Sequence, residues 1–293
     1  MSPMSAMPPS PRSGHVKPLV PESPVRRPVG RMRLAAVILR AGVRSQLANR
    51  ADFAMAIANG VTYQVTVLLF ATVIFGRFPS LAGWGVGEVL LINSIRMLGH
   101  GLYMLFFGNL GLLPHLLRDG RFDAFRTRPA PVLLQVFTYE APVNAVGDLV
   151  VACASLSVCL SLLDVEWTVG MVAFLLAAVV GALVIELGLN LHIAALVLRF
   201  RGSESLFFWL DSVSGTFGNY PLGLFPWVLQ GAFTFVLPIA FAGFYPAAWL
   251  TGHADTAPFS AALAFAFPAV AAALLWSGLA WWRRGVAFYA RNN

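Results

Sequence analysis

From Trp167 to Leu198 the chain runs for thirty-two residues without a lysine or an arginine. As one helix that run would be roughly 48 Å long, more than a bilayer core of about 30 Å requires. A soluble fold could not hide that much apolar surface. Comparable apolar stretches recur at 54–75, 88–110, 140–163, 222–250 and 259–282. The first of these supplies roughly 33 Å of helix, enough to cross. Hydrophobic residues make up 58% of the 293 residues and charged residues 11%, where a soluble domain carries about 25% charged. The chain is therefore read as an all-α integral membrane protein with six transmembrane helices.

Arginine placement orients those spans. Eighteen of the twenty basic residues fall before span one, between spans two and three, after span four or at the C-terminus. Arg77 alone lies on the opposite side, and Arg96 lies within span two. By the positive-inside rule both termini are cytoplasmic.

The remaining segments are short. Residues 1–30 are rich in Pro, Ser and Arg and read as a disordered basic tail. Over 31–53, Met32, Ala36, Leu39, Val43 and Leu47 form one helical stripe flanked by Arg33, Arg40 and Arg44, the pattern of an amphipathic helix in the membrane interface. Residues 54–293 hold the six-helix domain. Between spans four and five, Leu206, Leu210, Val213 and Phe217 repeat at helical spacing before a break at Gly218-Asn219-Tyr220-Pro221. This predicts a short helix along the cytoplasmic interface. Pro226, Pro238 and Pro246 would let span five bend, because each removes a backbone hydrogen bond.

Several activities are excluded by residue type. The single lysine, Lys17, stands in no G-x-x-x-x-G-K-[ST] frame, so the chain carries no Walker-type ATP site. It has no H-E-x-x-H metal motif and no G-x-S-x-G nucleophile elbow. Cys153 and Cys159 lie six apart in one apolar run and read as small hydrophobes. No catalytic, metal or cofactor site is expected.

Two groups of residues remain. Charges at mid-bilayer are costly, which singles out Arg96 and His100 in span two, Asp148 in span three, and Glu186, Asn190 and His192 in span four. Arg96 and His100 share a helix face, as do Glu186 and Asn190, so a Glu186–Arg96 pair between the spans is geometrically possible. Such residues either line a polar path or hold the bundle together through interhelical bonds. The second group is the loop carrying Pro114, His115, Arg118, Asp119, Arg121, Phe122 and Asp123. Pro114 suits a first helical turn and Gly120 a helix stop. A short charged helix results, either docking into a partner or simply solvated.

Taken in order, Asn49-Arg50-Ala51-Asp52-Phe53, Leu81-Ala82-Gly83-Trp84, Phe107-Gly108-Asn109-Leu110, Leu117-Arg118-Asp119-Gly120-Arg121-Phe122-Asp123, Arg128-Pro129, Tyr220-Pro221, Leu237-Pro238-Ile239-Ala240-Phe241 and Trp282-Arg283-Arg284-Gly285 resemble the permease subunits of type-2 ABC exporters, in the branch of small six-span bacterial permeases. The tail over 1–30 has no counterpart in that pattern. The resemblance implies a transport subunit of the bacterial inner membrane that hydrolyses nothing itself. It would pair with a second permease chain, the same or related, above two cytoplasmic ATPase subunits that hold ATP and Mg. It also implies an interfacial N-terminal helix at 31–53 and an ATPase-coupling helix at 114–123. Membrane lipids are expected partners and nucleic acid is not. The alternative is a membrane scaffold or assembly protein that transports nothing. Few fixed charges in the spans favour a lipid, drug or amphipathic peptide as cargo over a free ion.

Overall fold

A computed structural model of the chain describes residues 80–140, 144–200 and 202–292, with isolated helical positions between 54 and 77. The tail, the interfacial helix over 31–53 and most of the first span lie outside the described residues. Among those described, regular structure is helical, apart from one bridge between Leu81 and Trp84 that closes a turn.

The first long helix, α1, spans Val86–Phe107. The Gly85 amide that precedes it donates to Glu88 Oε2 at 2.7 Å, so the carboxylate satisfies a donor at the helix start and complements the helix dipole there. A 3₁₀ turn, Gly108–Leu112, carries α1 into α2, Leu113–Arg118, with Pro114 in its first turn as expected. Gly120 then adopts φ +68°, a conformation that glycine enters freely, and starts α3, Arg121–Arg126. After α4, Val132–Phe137, come α5, Asn144–Leu162, and α6, Val169–Val197. Among the described residues three helical stretches are long and apolar enough to cross a membrane: Val86–Arg118, Ala145–Leu162 and Val169–Val197.

Glycines reveal how these helices lie. A Cβ on Gly87 would sit 3.3 Å from Leu162, and one on Gly101 would sit 2.9 Å from Leu149, so α1 and α5 run antiparallel. Gly99 faces Ala182 of α6. The final helix, α10, Phe267–Asn292, runs parallel to α6, with Gly181 against Phe267, Gly188 against Leu274 and Gly285 against Ala195. Small residues let these backbones approach closely, the usual solution where lipid supplies no hydrophobic drive between helices. Cys159 belongs to the α1–α5 seam, its Sγ 3.3 Å from Gly87 O.

The helix after α6 departs from expectation. α7, Ser205–Phe217, does not lie along one end of the bundle. It starts with Glu204 beside Arg118, passes Arg96 at Gly218 and leads to Gly223, beside Ala82 just ahead of α1. Its stripe of Leu206, Leu210, Val213 and Phe217 packs into the bundle. Periodicity revealed that the helix is amphipathic but carries no information on its tilt.

The fifth apolar stretch is likewise not one bent rod. Its first limb is α8, Trp227–Gly231, followed by a π turn, Ala232–Val236. At Leu237-Pro238 the chain breaks, because Pro238 offers no N–H to continue the helix. The return limb is a 3₁₀ turn, Ile239–Ala242, and α9, Phe244–Leu250. Gly243 sits against Ile92 O partway down α1, whereas His253 is back at Glu88 beside the start of α1. The segment thus enters and leaves at one end. Irregular backbone of this kind is tolerated at membrane depth where protein surrounds it, and residues 239–248 are buried.

Among the described residues the apolar interior forms two clusters. One surrounds Trp84, Ile92, Ile185 and Tyr245 at the start of α1. The other surrounds Leu113, Phe122, Leu191 and Trp282 at the arginine-rich end. On α1 and α6 the buried members of the clusters stop at Ile95 and Ile185 and resume at Tyr103 and Leu187.

Candidate functional site

Arg96, His100 and Glu186 lie between the buried members of the two clusters on α1 and α6. His100 Nδ1 donates to Glu186 Oε1 at 2.6 Å, joining α1 to α6. Arg96, only 7% exposed, donates from Nε to Asn219 Oδ1 at 2.5 Å. The Glu186–Arg96 pair does not form. Helical side chains lean toward the N-terminus, so Arg96 leans away from Glu186 and toward the chain after α7. Gly218 leaves it room, since a Cβ there would lie 2.9 Å from Arg96 Cδ.

Two recesses open beside these pairs. One, of about 390 Å³, is walled by Arg96, His100, Asp148, Asp211 and Thr216 among others. The second, of about 190 Å³, is walled by His100, Tyr103, Glu186, Asn190, Asp211 and Ser214 among others. His100 and Asp211 are common to both, so three carboxylates, one guanidinium and one imidazole line the two adjoining recesses that make up this polar hollow. Asn190 also turns its Nδ2 back to Glu186 O at 3.0 Å. His192 is elsewhere: it donates to Gly188 O at 2.7 Å and faces Trp281 on the α10 side. Among the described residues no group of three His, Cys, Asp or Glu side chains is arranged to hold a metal ion.

Asp211 and Asn219 were missed by sequence reasoning. They sit in and after a helix expected to lie outside the bundle, so their charge and polarity read as ordinary surface. The only available signal was the Gly218-Asn219-Tyr220-Pro221 break. Asn219→Ala removes the carbonyl to which Arg96 donates and is expected to lower stability by about 1.5–3 kcal/mol, the range for hydrogen bonds to charged groups. Thermal unfolding of the purified chain checks this, and Asn219→Asp, which restores an acceptor, should recover most of the loss.

The second candidate site is the elbow made by α2 and α3. His115, Arg118, Asp119, Arg121 and Asp123 are exposed on it, whereas Pro114 and Phe122 are buried and face inward. Phe122 stands edge-on to Trp282 and Tyr289 of α10 at 6.3 and 5.2 Å. Asp123 accepts from Arg126 at 3.1 Å and from the Tyr289 hydroxyl at 3.3 Å. Arg118 reaches Glu204 ahead of α7 at 3.5 Å, and Arg121 reaches the Tyr139 hydroxyl. Asn109 Nδ2 donates to Phe137 O and Glu140 O, and Gln135 Nε2 to Phe125 O, which secure α4 behind the elbow. The elbow thus continues α1 through the 3₁₀ turn and touches α10 and the chain ahead of α7.

Comparison with known proteins adds one finding. A family model described as an ABC-2 family transporter protein matches residues 61–292. No curated protein and no solved structure matches the chain.

Proposed function

The chain belongs to the ABC-2 family of transporter proteins, and from this we infer that it is the membrane-embedded permease subunit of an ATP-driven exporter of the bacterial inner membrane. In this reading α1, α5, α6 and α10 each cross the bilayer, joined by a span at 54–75. The remaining crossing is α7 with the chain through Gly223, and 227–250 is a re-entrant hairpin entering from the side opposite the arginine-rich end. Six crossings result, with both termini cytoplasmic. ATP and Mg belong to two ATPase subunits beneath, and a second permease chain completes the path.

The observation that carries the reading is the elbow. Five charged or polar side chains face outward from two six-residue helices and the turn between them, and the buried Phe122 ring anchors them to α10. A rigid knob of this shape suits transmission of an ATPase movement into the bundle. The movement would reach the polar layer through α1 and α7, where the His100–Glu186 and Arg96–Asn219 bonds join the helices bordering the hollow. Cargo is driven only if two arrangements of that layer bind it differently. Asp148 and Asp211, which face the hollow, are the groups placed to make that difference.

Purification from the native membrane tests the reading. An ATPase subunit should accompany the chain, and Asp119→Arg should lower its retention by roughly tenfold or more, because opposed like charges cost several kcal/mol across an interface and about 1.4 kcal/mol is already tenfold. A well-folded chain that brings no ATPase in several detergents overturns the proposal.

A further inference from the structure

At the arginine-rich end a groove of about 510 Å³ runs between α2, the end of α6 and the last turns of α10. Arg118, Arg199, Glu204, Phe288 and Asn292 are among its walls. Among the described residues no carboxylate pairs with Arg199. Its guanidinium carbon lies over the rings of Trp281 and Phe288 at 5.5 and 5.8 Å, and its Nε is buried without a hydrogen-bond partner among the same residues. Aromatic faces attract the charge but accept its N–H hydrogens poorly. A guanidinium presents five N–H donors in one plane and matches phosphate geometry.

The surroundings point to the source of that phosphate. Trp281 and Phe288 are 38% and 37% exposed on α10, the kind of aromatic placement found where a helix meets the headgroups. Arg284 and Arg291 fall at helical steps of three or four from them and are exposed. Basic pockets between transmembrane helices near the cytoplasmic surface are suited to anionic lipid headgroups.

We propose that this groove binds the phosphate group of an anionic phospholipid, with Arg199 as its principal donor, Arg118 as a second cation and Glu204 as an opposing charge that limits affinity. The site shares Arg118 with the elbow but stands apart from the polar hollow, and its argument does not depend on transport.

Native mass spectrometry of the full chain in detergent, with phosphatidylglycerol or phosphatidylcholine added, tests it. Phosphatidylglycerol should be retained in preference to phosphatidylcholine. Arg199→Gln should lower that retention about fivefold, the effect of one arginine at an anionic surface. Glu204→Gln should raise it, and this variant decides the matter if Arg199→Gln fails to fold. Millimolar inorganic phosphate separates the two sources. Displacement of the lipid would show that free phosphate also occupies the groove, and no displacement would assign it to the lipid headgroup alone. Equal retention of the two lipids overturns the proposal, as does retention unmoved by either variant. Loss of a co-purifying ATPase from Arg199→Gln with lipid binding intact would make the groove a protein contact instead.

Discussion

Phe122→Ala is expected to destabilise the protein by about 3–5 kcal/mol, as for other buried aromatics cut back to alanine, and to release any bound ATPase while the long helices stay folded. The side chain is fully buried and packs edge-on against two rings of α10. The helix that carries it and the one before it have six residues each, far below the length at which a helix persists alone in water. Packing on α10 is what keeps the elbow in shape. The exposed ion pairs around it contribute little, because such pairs are worth at most about 1 kcal/mol each. Removing the ring therefore loosens the elbow where removing a surface charge would not. Thermal unfolding measures the first effect and co-purification the second. Phe122→Leu should restore part of both. Unchanged unfolding in the alanine variant would show that the elbow is held by something other than Phe122.

Gly188→Leu is expected to leave no folded protein, and Gly188→Ala to cost about 1–3 kcal/mol. A Cβ at this position would lie 2.7 Å from Leu274 Cβ and 2.8 Å from the Leu274 carbonyl carbon. Across the seam, a Cβ on Gly278 would lie 2.8 Å from Gly188 O. The obstruction is backbone, so no flexible side chain can move aside. Two effects compete in Gly→Ala: helix propensity gains about 1 kcal/mol, and overlap takes more than that away. The contrast is Gly111→Ala. There a Cβ would meet nothing within 4 Å, and the change should fall within about 0.5 kcal/mol of neutral. Thermal unfolding of the variants in one detergent separates the cases. A stable Gly188→Leu would mean that α6 and α10 pack less closely than described.

Much of the elbow was legible because local rules govern it. Pro114 in a first turn and Gly120 in the left-handed region follow from the residues themselves. The division of its side chains was not legible. Phe122 reads in the sequence as one more member of a charged loop, and only the position of α10, more than 150 residues away in the chain, buries it. The polar layer was half legible. Arg96, His100 and Glu186 stand out because ionisable groups are rare in apolar runs. Their partners depend on how α7 is tilted and which way side chains lean.

By itself, then, the sequence determined that this is a helical membrane protein and where most of the long helices lie. Long stretches free of basic residues admit no soluble alternative, and that constraint acts along the chain. The tertiary structure decided what the segments after α6 become. Amphipathic periodicity is the same for a helix lying on the bundle's end and one climbing its side. Proline marks where a helix must break but not which way the chain then turns. Those directions follow from packing. Gly218 lets α7 pass Arg96, and Gly243 lets the hairpin reach Ile92. The hydrogen bond of about 3.0 Å between Thr234 and Tyr245 joins the two limbs. Each of these contacts is between residues that no local pattern relates.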